Sequence, residues 1–332
     1  MTDETAYGEL IEPHRAELRA HCYRMLGSAQ DAEDALQEAL TNAWRALPRF
    51  EGRSSVRSWL YTIATNACLR LIERRPARVL PIDYGPPADP HDALAEPLVE
   101  SVWVEPYPDA RLGLAASVAG PEARYEQRES VELAFIAALQ HLPPTQRAVL
   151  ILRDVLGFSG AEVADTLETT PAAVYSALQR AHKTIDARLP DESQQATLRA
   201  LGDERLGALV EEFVRAWQAG DVDAVVSLLA EDATIAMPPR PTWYRGRDAA
   251  AGFFRAFPLA PENRSRLVPI GVNGQPGFGS YVWDAATGTF LAHAVSVLTL
   301  RGDRIGDLTW FLTPEAFARF ELPLELAQDS RG

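Results

Sequence analysis

One stretch of this chain constrains its fold more than any other. Residues 76–125 include RVLPIDYGPPADPHDALAEPLVESVWVEPYPDA, a run dense in proline, acidic, and without a sustained hydrophobic period. Proline removes a backbone donor and fixes φ, so the stretch reads as a linker and not as a core element. It is long for a loop inside one domain and argues for a boundary. Its Trp103, Tyr107 and paired prolines predict that part of it docks on a folded surface. The flanks must then fold largely by themselves. A chain of 332 residues is too long for one ordinary domain and suits two or three.

The N-terminal flank reads as helices throughout. Leu10, His14, Leu18, Cys22 and Met25/Leu26 follow the i, i+4 step, and Gly27 stops that helix. Ser28 can cap the next, with Asp31 near its third position. There Ala32, Ala35, Leu36, Ala39, Leu40 and Trp44 form the apolar stripe. Asp31, Asp34, Gln37, Glu38 and Asn42 fall largely on the other side, an acidic face suited to a basic partner. A third helix starts near Ser54. Trp59, Leu60, Ile63, Ala64, Ala67, Cys68, Leu71 and Ile72 supply its apolar side. Arg57, Asn66, Arg70, Arg74 and Arg75 lie off that stripe, and arginines so placed neutralise phosphates.

Beyond the linker the helical period returns in LPPTQRAVLILRDVLGFSGAEVADTLETTPAAVYSALQRAHKTIDARL. Leu142, Val149, Leu150, Leu152 and Val155 mark one helix. A short helix from Ser159 to about Leu167 opens with a capping box, Ser159 and Glu162. A turn at Glu168-Thr169 follows, then Thr170 as cap and Pro171 at the first helical position. Two short helices joined so tightly predict a helix-turn-helix. The second helix buries Val174, Leu178, Ala181 and Ile185 and exposes Ala172, Ala173, Ser176, Gln179, Arg180 and Lys183. Small residues near its start permit close entry into a major groove, with Ser176 and Arg180 within reach of base edges or phosphates.

Charge limits the partners. The net charge of −14 excludes a uniformly basic nucleic-acid coat, though not a local basic stripe. Few basic side chains around the helix-turn-helix imply weak affinity for DNA by that part alone. Cys22 and Cys68 both sit in apolar helical patterns, which speaks against a disulfide framework or a thiolate metal site, and no metal or other cofactor is expected. The first residues, MTDETAYGELIEPHR, lack a basic and an apolar region, and no run of eighteen apolar residues occurs. A reducing cytoplasm without membrane contact is the expected compartment.

The two helical blocks carry a resemblance. AQDAEDALQEALTNAWRALPRFEGRSSVRSWLYTIATNACLRLIERR, followed at a distance by LPPTQRAVLILRDVLGFSGAEVADTLETTPAAVYSALQRA, resembles the extracytoplasmic-function sigma factors of the sigma-70 family. The likeness assigns residues 1–75 to sigma domain two and residues 126–190 to sigma domain four, with 76–125 as linker. It implies two partners, promoter DNA and core RNA polymerase, the latter through its β′ clamp helices and β flap. Asp31, Asp34, Gln37 and Glu38 would then bind core polymerase. Arg53, Ser54, Ser55, Arg57, Asn66, Arg70 and Arg74 would bind the minus-ten element, whose flipped base the family places near Phe50–Ser55. Thr170, Ala172, Ala173, Ser176, Arg180 and Lys183 would bind the minus-thirty-five element. Trp59 is given a structural role.

The remainder has a different texture. ERLGALVEEFVRAWQAGDVDAVVSLLAEDATIAMPP is helical at first, GRDAAAGFFRAF is helical again, and RLVPIGV, GFGSYVWDA, FLAHAVSVLTL and RIGDLTWFL read as strands. Helices followed by a strand meander predict an α+β domain over about 203–325. The phrases AGDVDAVVSLLAEDATIAMPP, WYRGRDAAAGFF and RIGDLTWFL resemble the SnoaL-like branch of the NTF2-like fold, which implies a curved sheet wrapped on helices into a cone. Some members of that superfold are enzymes that need an acid or base inside an apolar cone. His293 and Asp284 are the candidates here. A lone histidine between Leu291 and Val295 reads as a core residue and Asp284 as a turn residue, so no catalytic residue is assigned. Trp217, Met237, Trp243, Tyr244, Tyr281, His293 and Trp310 form a candidate pocket for a small-molecule ligand. The expected molecule is multidomain, with two all-α sigma domains and an α+β cone that regulates them in cis. The alternative is a SnoaL-like enzyme or ligand-binding module fused to a DNA-binding regulator.

Overall fold

The computed structural model describes residues 3–52, 54–98, 102–112 and 128–327. Two compact units account for the chain. One joins Met1–Arg78 to Asp109–Pro190, and the other joins Val79–Pro108 to Asp191–Gly332.

The first unit is helical. Helices α1 (Asp3–Ile11), α2 (Arg15–Leu26), α3 (Ala29–Ala46) and α4 (Val56–Ile72) make its first block. Gly27 ends α2 in the left-handed region at φ +63°, where its N–H reaches Tyr23 O at 2.8 Å. A Cβ at Gly27 would also lie 2.9 Å from the Gln140 side chain, so space as well as φ demands glycine. Ser28 caps α3 by accepting from the Asp31 N–H, and Ser55 caps α4 by accepting from Ser58. The three helices α2, α3 and α4 pack on one another, burying Leu18, Cys22 and Met25 of α2, Ala35, Leu36 and Ala39 of α3, and Leu60, Ala64 and Cys68 of α4. Alanines along α3 let the three helices approach closely. Cys22 and Cys68 are free, fully buried thiols, and burial pushes the Cys68 thiol well up from its ordinary value.

The second block comprises α6 (Leu133–Gln140), α7 (Pro144–Leu150), α8 (Gly160–Thr166) and α9 (Pro171–Asp186); a four-residue α5 (Pro81–Tyr84) precedes it in the chain. The helix expected to continue through Val155 changes character after Leu150. Ile151–Val155 form a π-helical turn, with Leu156 N–H bonded to Ile151 O at 3.0 Å, and Gly157 at φ +72° follows it.

The two blocks are joined by buried arginines. Arg147 of α7 donates to Met25 O at the C-terminal end of α2, to Gln140 Oε1 at 2.6 Å and to Leu142 O at 3.2 Å. A cation at that end of a helix meets unpaired carbonyls and the negative pole of the helix dipole. Arg24 of α2 donates to Ser130 Oγ at 2.7 Å and Ser130 O at 3.0 Å. Burial lowers both guanidinium groups to about 10, so both stay charged at neutral pH.

The second unit is α+β. Helices α10 (Gln194–Leu201), α11 (Asp203–Gln218), α12 (Val222–Ser227) and α13 (Arg247–Ala256) accompany a seven-stranded sheet. Its strands are β1 (Leu229–Ala236), β2 (Trp243–Arg245), β3 (Ser265–Val272), β4 (Gln275–Asp284), β5 (Thr289–Arg301), β6 (Arg304–Phe311) and β7 (Glu325–Ala327). The order is β2-β1-β6-β5-β4-β3, with β7 on β5; β1 and β6 run parallel and the other pairs antiparallel. Phe213 and Trp217 of α11 and Phe253 and Phe254 of α13 pack with Phe278, Leu298, Leu308 and Trp310 from the sheet.

Val79–Pro108 of the proline-rich stretch belong to this second unit. Val79 pairs with Trp103 and Pro108 with Val272. Trp103 Nε1 donates to Pro239 O at 3.0 Å, and Trp243 Nε1 donates to Gly85 O at 2.8 Å. Tyr107 and Asn273 exchange two bonds, Tyr107 N–H to Asn273 Oδ1 at 2.9 Å and Asn273 N–H to Tyr107 O at 3.0 Å. Ala88 and Leu94 pack against the core of the unit, and Val104 and Tyr107 are fully buried. Proline explains why the stretch has no period, but it does not keep the stretch in solvent.

Candidate functional site

The acidic face of α3 is divided. Asp34, Gln37 and Glu38 are exposed, and Glu38 pairs with Arg70 across to α4 at 2.7 Å. Asp31 corrects the expectation of one exposed face. Its side chain is 5% exposed, and it forms an ion pair with Arg78, itself 4% exposed, and a second with Arg75 at 3.4 Å. The helical period does not reveal this, because Arg78 lies 47 residues away in sequence.

On α4 the basic residues also separate. Arg70 and Arg74 are exposed, Asn66 is half-buried, and Ser54 and Ser55 are exposed at the helix start. Arg53 lies outside the described residues. Arg57 is engaged within the protein. It donates to Glu17 at 3.1 Å and lies over the rings of Tyr61 at 4.9 Å and Phe158 at 4.8 Å. Thr62 of α4 meets Thr166 of α8, Oγ1 to Oγ1, at 3.0 Å. This side of α4 is therefore covered by the second block. Trp59, half-buried, packs on Phe50 with ring centroids 4.7 Å apart and the planes tilted by 33°.

Beneath Tyr61 lies a histidine that periodicity left unassigned. His21 is fully buried, hydrogen-bonds Thr65 Oγ1 at 2.9 Å and meets the Tyr61 ring edge-on at 5.1 Å. Burial, with Arg24 and Arg57 nearby, lowers its pKa to about 3, so it is neutral.

The helix-turn-helix forms as expected. Ser159 and Glu162 make the reciprocal capping box, and Glu162 is held below the usual carboxylate range by its bonds to Ser159. Glu168 takes a positive φ of 51° in the turn, and Thr170 caps α9 by accepting from Ala173 N–H. Ala172, Ala173, Ser176, Gln179, Arg180 and Lys183 are all exposed along α9. So is Tyr175, at 53%, a residue that the helical period alone did not single out. Its turn away from Val174 was the available signal.

In the second unit the candidate pocket residues do not converge as a set. Trp217, Met237, Tyr244 and Trp310 share the interior cluster, with Trp217 and Trp310 centroids 4.7 Å apart. The Tyr244 hydroxyl is buried there without a hydrogen-bond partner among the described residues. Tyr281 packs instead on Phe317 at 5.1 Å and donates to Pro323 O at 2.9 Å. Trp243 is buried next to the proline-rich stretch through Gly85. His293 is exposed. A register shift places Ala292 opposite Tyr281 and Ala294 opposite Ser280, so His293 is the extra residue of a bulge. The bulge breaks the alternation that had put His293 with Leu291 and Val295. Asp284 closes its own turn, accepting from Thr287 N–H at 3.0 Å and Thr287 Oγ1 at 2.7 Å, which lowers its pKa. The two acid/base candidates therefore do not meet in the interior.

Comparison with known proteins agrees with this geometry. The chain matches the family models for Sigma-70 region 2 over residues 10–77, Sigma-70 region 4 over 132–185 and a SnoaL-like domain over 210–307. It is 42% identical over 314 residues to the ECF RNA polymerase sigma factor SigG of Mycobacterium tuberculosis, covering 94% of this chain and 82% of that protein. It is 29% identical to SigJ of the same species, covering 96% and 95%. The crystal structure of SigJ has the same fold, with a TM-score of 0.60 at 23% identity over 95% of this chain and 98% of that one. Both sigma regions, in order and with a SnoaL-like domain behind them, place the chain in the extracytoplasmic-function group of the sigma-70 family.

Proposed function

We propose that this chain directs core RNA polymerase to promoters, with α3 as the polymerase contact and α9 as the reader of the upstream element. The observation that carries the reading is the capped helix-turn-helix, which presents Ala172, Ala173, Ser176 and Arg180 on one open face. Asp34, Gln37 and Glu38 offer a basic coiled coil an exposed acidic surface. Arg70 and Arg74, with Ser54 and Ser55, remain available to a melted strand. No helix among the described residues is long and apolar enough to cross a membrane, and the chain would work in the cytoplasm beside the chromosome. Run-off transcription with purified core polymerase over a promoter library tests the proposal. Specific initiation is expected, and Ser176→Ala and Arg180→Ala should relax preference at single upstream positions by roughly 1–3 kcal/mol each. Failure to initiate anywhere would refute it.

The C-terminal domain serves in this reading as a regulator in cis and not as an enzyme. The minus-ten and minus-thirty-five elements lie about 85 Å apart at about 3.4 Å per base pair. Sigma blocks in direct contact through Arg147, Arg24 and Arg57 must part to read both. The segment that would have to extend between them is the one hydrogen-bonded to Asn273, Pro239 and Trp243. Holding that segment opposes the opening, and releasing it permits the opening. Asn273→Ala, which loosens the hold, should therefore raise transcription from a cognate promoter. Unchanged output would refute regulation by this route.

A further inference from the structure

We infer that the Tyr175 hydroxyl is a phosphate contact that sets the register of α9 on promoter DNA. The inference rests on α9 being the upstream reader and adds a residue that this reading does not supply. At about 100° per residue, Ala172, Ser176, Gln179 and Lys183 point directly away from buried Val174. Tyr175 is turned about 70° from the middle of that outward stripe, onto its flank. When a helix lies in the major groove, its central stripe meets base edges and its flanks meet the sugar-phosphate walls. Arg180 lies as far off the stripe on the opposite flank, but its long side chain reaches back to base edges, whereas the shorter phenol of Tyr175 meets the phosphate wall beside it.

Its surroundings fix it there. The guanidinium of Arg153 lies 5.9 Å from the ring centroid, on the π-helical turn before α8, and is itself anchored on Phe158 O. Gly160, the first residue of α8, lets the phenol lie close, since a Cβ there would be 3.2 Å from the hydroxyl oxygen. Asp154, next to Arg153, is occupied by His182 at 2.5 Å, and Glu162 is occupied by the Ser159 cap. The ring is held on its inner side, 53% of the residue remains in solvent, and the hydroxyl has no hydrogen-bond partner among the described residues. An exposed phenol donor with a guanidinium over its ring suits a phosphodiester oxygen.

Tyr175→Phe removes the hydroxyl and keeps the ring, so the packing on Arg153 and Gly160 survives. The measurement is promoter binding by reconstituted holoenzyme across a library of upstream elements at two salt concentrations, with Arg180→Ala alongside. The expected result is about a tenfold loss of affinity for Tyr175→Phe, equal across the library. The salt slope should not change, because no charge is removed. A loss confined to particular base pairs would overturn the phosphate role in favour of base reading. No loss, with Arg180→Ala altering preference, would overturn this inference alone. No effect from either variant would overturn both this inference and the assignment of α9.

Discussion

Replacing Asp31 should destabilise the helical unit, whereas replacing its neighbours should only weaken its contacts with a partner. Asp31→Asn keeps the size of the side chain and removes its charge. The Arg78 guanidinium, 4% exposed, then loses its carboxylate in a place where water cannot substitute. Breaking a buried pair from one side costs about 3–5 kcal/mol. The Arg75 contact at 3.4 Å adds little, since Arg75 is 47% exposed and solvent screens it. At a slope of about 2 kcal/mol per molar urea, the unfolding midpoint of the helical unit should fall by about 2 M. Asp31→Asn with Arg78→Met should cost less than the two single changes together, with a coupling of at least about 2 kcal/mol. Asp34→Lys with Glu38→Lys changes exposed sites and should move the midpoint by less than about 0.5 M, while core polymerase no longer co-purifies. The assay is urea unfolding followed by far-ultraviolet circular dichroism, with pull-down of core enzyme on the same samples. A midpoint shift below about 0.5 M for Asp31→Asn, or a coupling near zero, would refute the reasoning.

Three further outcomes are expected. His21 is neutral and buried, with a pKa lowered to about 3 from its ordinary value near 6.5. The unfolded state therefore binds the extra proton, so stability is complete above pH 6.5 and is lost as pH falls toward 3, by about 2 kcal/mol at pH 5; His21→Gln should flatten that pH dependence in urea titrations. Asn273 has φ +55° and accepts from the buried Tyr107 N–H. Asn273→Ala should cost the second unit about 2–4 kcal/mol and Asn273→Gly about 1 kcal/mol less, as thermal unfolding will measure, because glycine accepts the backbone conformation but not the bond. Ser130→Ala removes the Oγ partner of Arg24 between the two sigma blocks and should raise basal transcription in run-off assays; lower output would contradict a closed resting arrangement.

What could be read from sequence was mostly local. The capping box at Ser159, the Thr170-Pro171 start of α9 and the stop at Gly27 all depend on residues within a few positions of one another. The exposed face of α9 followed from its period, because one side of that helix is in solvent. The misplacements share a different cause. Asp31 is buried by a partner distant in sequence, and His293 is displaced by a bulge that depends on the register of β4 against β5. Neither leaves a mark on a single element. The candidate pocket divided because both sheet faces carry aromatics, so that Tyr281 and Trp310 look alike in sequence and pack in different places. The proline-rich stretch was legible as a chain break but not as part of a fold, since the bonds that tie it to the sheet, from Ala88, Leu98, Trp103 and Tyr107, go to residues more than a hundred positions away.

The composition of the second unit from two separate pieces of chain bears on how the protein is synthesised. Residues 79–108 leave the ribosome long before β6 and the rest of their sheet exist. From the completion of residue 190 until the sheet is made, both sigma blocks are present while Trp103, Val104 and Tyr107 have no sheet to join. A product ending early, by a stop codon or by proteolysis from the C-terminal end, would carry complete promoter-reading blocks and a bare apolar strap between them. It would not be a smaller copy of the protein that merely lacks its C-terminal domain. Cellular quality control should recognise such a product by that strap, so that loss of the tail also shortens the life of the sigma blocks it leaves behind.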